Sequence, residues 1–358
     1  MPGHDIVVVG ASAGGIEALI EMVSGLPADL PAAIFVVVHQ PPSAPGRLPE
    51  ILSRRGALPA VTARHGLPIE HGRIYVAPPD QHLLVRAGWV ELSHGPRENH
   101  MRPAVDPLFR TAARAYGPRV VGVILSGTLG DGSTGLMIVR AHGGACIVQD
   151  PDEALFGDMP RAALRQAEGA SVLPVREMPP ALARLTRQQV AEDGRRAMQD
   201  DAAEETPRHI EEDIAAQARD ERAGHSTMFT CPDCGGVLWQ IAGIGQAQFR
   251  CHVGHTYAPD TLLAQKSEVL EAALWSCVRM LREKATLTRQ LATRARQAGR
   301  EAAAQHIEEQ AMLDERYLQV VRDTLLEGRQ TPLEQAVTVA QEAQIDYTAV
   351  GSQDERAG

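Results

Sequence analysis

The run Val7-Val8-Val9-Gly10-Ala11-Ser12-Ala13-Gly14-Gly15 constrains this chain more than any other stretch. Its β-branched first half reads as a buried strand, and the small residues that follow let the backbone turn sharply into a helix. The pattern Gly10-x-Ser12-x-Gly14 is that of a nucleophile elbow, which puts one hydroxyl at the corner of the turn. The backbone N–H of Ala13, at a helix N-terminus, would then face a developing oxyanion. A glycine-rich turn that only connects strand to helix, or one that cradles a phosphate, fits the same residues.

Two later stretches bear on that choice. The apolar run Ile34 to Val38 ends at His39, and the run Val120 to Leu125 ends in the loop Ser126-Gly127-Thr128-Leu129-Gly130-Asp131-Gly132. Continuous β-branched runs separated by helical patterns predict a doubly wound, mostly parallel sheet with helices on both faces. Such a sheet gathers its ligands at the carboxyl ends of its strands, so Ser12, His39 and Asp131 could meet at one edge. A hydrolase would use the histidine to take the serine proton and the aspartate to orient the imidazole. A dinucleotide site would want a third glycine in place of Ser12 and an acidic residue at the end of the second strand, and both are missing.

The chain from about Asp5 to about Val175 resembles the catalytic domain of the CheB family, the chemotaxis protein-glutamate methylesterases. The resemblance rests on Gly10 to Gly15, His39-Gln40-Pro41-Pro42, Ile74 to His82, Arg102-Pro103-Ala104-Val105-Asp106, Gly127 to Gly132, and Met159-Pro160-Arg161. Position by position it implies Ser12 as nucleophile, His39 as general base and Asp131 as orienting acid. It also implies oxyanion donors in the Ala13 and Thr128 amides, although many relatives have methionine where Thr128 stands. Arg102 is the candidate substrate contact. The implied reaction is hydrolysis of the γ-methyl ester of glutamyl residues on a chemoreceptor-like protein, with glutamine deamidation through the same acyl intermediate and no catalytic cofactor. Typical members begin with a receiver domain, whereas here the catalytic motif starts within the first dozen residues, so control by a receiver of the chain's own is not expected.

At 358 residues with 44% hydrophobic content, two or three domains are expected. The 35 basic and 45 acidic residues leave a net charge of −10, which argues against nucleic acid and anionic membranes as partners. No apolar run approaches the roughly 20 residues that span a bilayer, and the first residues do not read as a secretory leader, so a cytoplasmic protein is expected. Five cysteines, an odd number, argue against a disulfide framework.

In chain order, helices are expected over Ile16 to Ser24, around Leu48 to Arg54, over Val105 to Tyr116, over Thr134 to Ala141, from Pro160, and near Pro180 to Ala191. Short strands are expected around Ala60, over Ile74 to Val76, over Ala145 to Val148 and near Val172, with a hairpin within Gln81 to Glu98. His82, His94 and His100 lack the spacing of a helical metal site and read as ordinary polar histidines. Cys146, within an apolar run, reads as a buried inert thiol.

The catalytic domain is thus assigned to residues 1–193 and a charged linker to 194–225. In 226–258, Cys231-x2-Cys234, a 16-residue spacer and Cys251-x3-His255 fit a closed tetrahedral structural zinc site on a small ribbon. His252 competes with His255 as the fourth ligand. A helical hairpin is expected over 259–328, turning at Gly299, with a charged tail over 329–358. Its stripes are Leu263, Leu270, Leu274, Val278, Leu281, Leu287 and Leu291 against Ile307, Leu313, Tyr317, Val321 and Leu325, with Cys277 in the core. The stripes are expected to pack on each other, and a signalling-protein partner or dimer contact is the other use for them. The alternative to an enzyme is a non-catalytic scaffold of a chemosensory pathway that keeps the hydrolase fold as a binding surface.

Overall fold

The structure, a computed structural model, describes residues 3–190, 224–241 and 247–327. The expected charged linker, apart from its last two residues, and the expected tail lie outside the described residues. Two compact units divide the chain after Leu262.

The first unit is built on seven parallel strands. These are β1 (Ile6–Ala11), β2 (Ala33–Val38), β3 (Ala60–Thr62), β4 (Arg73–Val76), β7 (Val120–Ile124), β8 (Ala145–Gln149) and β9 (Ser171–Leu173), in the order β3-β4-β2-β1-β7-β8-β9. The sheet is wholly rather than mostly parallel, because the hairpin β5 (His82–Arg86) and β6 (Trp89–Ser93) pairs antiparallel as a separate two-stranded sheet. The chain winds outward from β1 in one direction, then returns to β7 and winds in the other. The order therefore reverses between β1 and β7, and this switch point opens a crevice at the strands' carboxyl ends.

Both faces are covered, which is why the strands read as unbroken apolar runs. Ile6 and Val8 face one core with Phe35, Tyr75 and Phe109; Val7 and Val9 face the other with Leu19, Met22 and Leu52. The first face carries α3 (Val105–Tyr116), α4 (Ser133–Ala141), α5 (Asp158–Gln166) and the β5–β6 hairpin. The second carries α1 (Gly15–Ser24), α2 (Leu48–Arg55) and α6 (Met178–Leu185). Helix α6 ends at Leu185 rather than near Ala191, because the chain leaves it to form a bridge between Gln189 and Gly3.

Helix α3 begins against β1 with almost no clearance. A Cβ at Gly10 would lie 2.3 Å from Cγ1 of Val105, and one at Gly132 would lie 2.7 Å from the same atom. Both glycines are needed for the approach of a backbone that, as shown below, holds Asp131.

Four short antiparallel strands complete the first unit: β10 (His225–Thr230), β11 (Val237–Ile241), β12 (Gln248–Cys251) and β13 (Thr256–Tyr257). Their core is small, consisting of Cys231, Leu238, Phe249, Cys251, Tyr257 and Leu262.

Helix α7 (Pro259–Gln297) leads into the second unit and is followed by α8 (Glu301–Glu327), with Gly299 at a φ of 71° in the connection. Lys284 pairs with Asp314 and Arg289 with Glu315 across the two helices. The buried seam coincides only in part with the expected stripes: Val278 is buried, and Leu274, Leu281, Ile307, Leu313, Val321 and Leu325 are half-buried. It consists of Val278, Ala285 and Ala292 on α7 and Ala304 and Ala311 on α8, each set spaced by seven residues. Alanine at these positions lets the helices approach closely, and Leu263, Leu270, Leu287, Leu291 and Tyr317 are left exposed. Cys277 is half-buried, beside the seam rather than in a core. Among the described residues, no helix is long and apolar enough to cross a membrane.

Substituting Gly10→Ala is expected to push Val105 and the start of α3 away from β1 and to cost about 1–3 kcal/mol, as overpacking does. Urea unfolding at neutral pH measures this; an unchanged midpoint would contradict the tight approach.

Candidate active site

Three loops converge at the crevice because the parallel pairing continues past the strands. The amide of Ser12 donates to the Ser126 carbonyl at 3.0 Å, that of His39 to Ala11 at 3.1 Å, and that of Leu125 to Gly10 at 2.9 Å. Gly14 takes a left-handed φ of 67° as the N-cap of α1, so the chain enters the helix directly after the Ser12–Ala13 corner.

This register brings together the residues that the sequence singled out. His39 Nδ1 lies 3.1 Å from Ser12 Oγ, and His39 Nε2 lies 2.7 Å from Asp131 Oδ2. An ionised carboxylate can only accept, so Nε2 carries the hydrogen and the Nδ1 lone pair faces the serine hydroxyl. Ser12 is half-buried, while Asp131 is buried.

Asp131 accepts from four donors. Besides His39 Nε2, its Oδ2 receives the Val105 amide at 2.7 Å; its Oδ1 receives Asn99 Nδ2 at 2.9 Å and the Asp106 amide at 3.3 Å. Burial works against its charge, but the His39 hydrogen bond and charge, the Val105 amide and the Asn99 amide hold its carboxyl below the usual carboxylate range. Asp106 moves the other way. Burial and the neighbouring Asp131 charge push it well above that range, while its oxygens accept from the Gly135 amide at 2.6 Å and from Asn99 at 2.9 Å.

The two expected oxyanion donors belong to segments that adjoin the serine. Ala13 follows Ser12 at the corner, and Thr128 follows Gly127, where a Cβ would fall 2.8 Å from Ser12 Cβ. Neither amide is engaged by a protein acceptor among the described residues. Leu155 and Phe156, 72% and 41% exposed, form an apolar lip beside them, with the Phe156 carbonyl accepting the Gly127 amide.

Arg102 is engaged elsewhere. Its Nε and Nη2 donate to Asp80 Oδ1 at 2.9 and 2.8 Å, and Nη1 donates to the Gly95 carbonyl at 3.0 Å. His82 is buried between the Ala104 amide and the Pro96 carbonyl, and burial lowers its pKa below the ordinary histidine value. His94 bonds Gln81, and His100 pairs with Asp233. Cys146 is buried with its thiol pushed up to about 12. Sequence reasoning did not find Asn99 or the pairing of Asp106 with Asp131. Asp106 stood inside a quoted motif, whereas Asn99 carried no local signal.

A family model described as CheB methylesterase matches residues 7–182. Residues 7–182 are a CheB methylesterase domain. Protein-glutamate methylesterase/protein-glutamine glutaminase 2 of Anaeromyxobacter dehalogenans is 43% identical over 184 residues, covering 51% of this chain and 54% of that protein. A protein of the same name from Methanosarcina mazei is 35% identical over 192 residues, covering 51% and 52%. The crystal structure of the Thermotoga maritima CheB methylesterase catalytic domain aligns with a TM-score of 0.49 at 33% identity, covering 51% of this chain and 98% of that one. The chain thus spans about half the length of the curated relatives it matches.

Outside the CheB domain, Cys231, Cys234, Cys251 and His255 come together and could hold a metal. The Sγ atoms of Cys234 and Cys251 lie 3.6 Å apart, and His255 Nδ1 lies 3.6 Å from Cys231 Sγ and 3.4 Å from Cys251 Sγ. Tetrahedral zinc–sulfur bonds of about 2.3 Å require donors roughly 3.5–3.8 Å apart, so this set fits. His255, not the adjacent His252, completes it.

Because Asp131 accepts N–H donors at both oxygens, Asp131→Asn sets an amide NH2 against them, at about 1–3 kcal/mol for each donor left without an acceptor. The native carboxylate has a lowered pKa, so its contribution is present above pH ~4 and is lost as pH falls through the native value. Urea unfolding is expected to show a wide gap between wild type and Asp131→Asn at pH 7 that narrows toward pH 3. A gap independent of pH would contradict the ionised, four-donor site.

Proposed function

We propose that the CheB domain of this chain hydrolyses the γ-methyl esters of glutamyl residues on a methylated chemoreceptor-like protein, with Ser12, His39 and Asp131 as a catalytic triad. The observation that carries the reading is the continuous Ser12–His39–Asp131 hydrogen-bond chain at the switch point of the parallel sheet. Ser12 Oγ attacks the ester carbonyl as His39 Nδ1 takes its proton. The amides of Ala13 and Thr128 receive the oxyanion. Asp131 fixes the ring so that Nδ1 faces the serine, and stabilises the imidazolium. Collapse expels methanol with the proton from Nδ1, leaving a glutamyl ester on Ser12. Water, deprotonated by Nδ1, then releases glutamate. A glutamine side chain enters the same path with ammonia as the leaving group. Arg102, held by its pair with Asp80, is the candidate contact for the substrate.

The scaffold reading gains nothing from this geometry, because a binding surface does not require a buried carboxylate to orient a histidine toward a serine. Methanol release from methylated receptor preparations tests the choice. Wild type is expected to release methanol, and Ser12→Ala and His39→Ala to lower kcat by about 10⁴-fold or more. Release unaffected by Ser12→Ala, or none from folded wild type, would contradict the proposal.

The Cys231, Cys234, Cys251 and His255 set is read as a closed structural zinc site, whose four protein ligands leave no position for substrate. Metal analysis of protein purified without chelator is expected to find one zinc per chain, and no bound metal would contradict it.

A further inference from the structure

Both halves of the metal-ligand set grip the same loop of the CheB domain. Asp233, between Cys231 and Cys234, places its Oδ1 3.0 Å from His100 Nδ1. Residues following His255 take the preceding positions: the Thr256 carbonyl accepts the Asn99 amide at 2.8 Å, and the Thr256 amide donates to Arg97 at 3.3 Å. The Ala258 amide then donates to Asn99 Oδ1 at 2.9 Å. That side-chain oxygen is one end of a buried amide whose Nδ2 donates to Asp131 and to Asp106. Two hydrogen bonds through one side chain therefore separate the ribbon from the triad carboxylate.

The ribbon adds an external hold to this loop. Asn99 and His100, with left-handed φ values of 50° and 65°, are the central pair of a tight turn closed by Glu98 and Met101, whose amides each donate to the other's carbonyl at 3.2 and 2.9 Å. The ribbon has little stability of its own to provide that hold. Two of the six side chains in its core are the ligands Cys231 and Cys251, so its packing without metal is slight.

We propose that zinc bound by Cys231, Cys234, Cys251 and His255 clamps the ribbon onto residues 97–100 and, through Asn99, holds Asp131 in its triad position, so that hydrolysis at Ser12 depends on a metal outside the active site. Asn99 is a positioning residue: it touches Asp131, not substrate. Metal loss frees its Oδ1 partner and its backbone partner together. The buried amide is then no longer aimed at Asp131, which loses one of its four donors. The inference rests on the hydrolase reading above.

The test uses the full chain, loaded with zinc, stripped by chelator, and reloaded. Stripping is expected to lower kcat for methanol release about 5- to 150-fold, the usual span of coupling between two sites, with KM changed less than twofold and full recovery on reloading. Cys234→Ser, at an exposed ligand, is expected to reproduce the stripped state without chelator. Asn99→Ala is expected to lower kcat similarly while retaining one zinc, and stripping it is expected to have no further effect. Hydrogen exchange gives a readout independent of turnover: the Asn99 and Ala258 amides should be protected when loaded and exposed when stripped, while those of β1 and β7 stay protected. Unchanged kcat after stripping, a change confined to KM, or an Asn99→Ala enzyme that remains sensitive to stripping would overturn the clamp. If loaded wild type releases no methanol, the hydrolase reading fails, and the clamp stands or falls on the Asn99 amide alone.

Discussion

The buried carboxylate of Asp131 is the constraint on which the rest of the first unit turns. A charge 2% exposed is tolerated only where its surroundings replace the water it has lost. The replacement is four donors from three places: the imidazole after β2, the first two amides of α3, and the side chain of Asn99. Each donor fixes a piece of fold. The Val105 amide reaches Asp131 because Gly10 and Gly132 let the start of α3 sit against β1. His39 reaches it because β2 and β1 pair in parallel and end at the same level. Burial and the Asp131 charge together push the neighbouring Asp106 carboxyl up, while its oxygens take the amides of Gly135 and Asn99.

This arrangement explains how the Ser12 hydroxyl comes to face the unprotonated nitrogen of His39. The ring of His39 could turn either nitrogen toward Ser12; the carboxylate selects the orientation and the tautomer by accepting from one of them. Ala13 follows the hydroxyl-bearing residue at the strand-to-helix corner, and Gly127, just before Thr128, packs closely against Ser12. The sheet supplies position, the carboxylate supplies orientation, and the unengaged amides are available to a developing negative charge.

Much of this was legible in the sequence because parallel strands deliver their following residues to one edge. A glycine-flanked Ser12, His39 after a β-branched run and Asp131 in a glycine-rich loop each carried a local signal. The CxxC and CxxxH spacing likewise pointed to the cysteines of the candidate metal cluster, since a tetrahedron is made from two short turns, but left His252 and His255 both open. Asn99 had no such signal: its role depends on meeting Ala258, 159 residues along the chain. The helical hairpin misled for a related reason. Its most conspicuous leucines set a helical period, but beside Val278 the seam is formed by the small residues Ala285, Ala292, Ala304 and Ala311, and several leucines remain in solvent. Periodicity identifies a helix more readily than it identifies which stripe is covered.

The most direct test of the account is the reaction of the full chain with a fluorophosphonate, followed by mass spectrometry of the intact protein and of its peptides. The account predicts a single adduct on Ser12, formed far more slowly in His39→Ala and in Asp131→Asn. A folded protein that takes no label, or one labelled at Ser12 at the same rate in all three forms, would contradict the claim that this carboxylate–imidazole pair activates the serine.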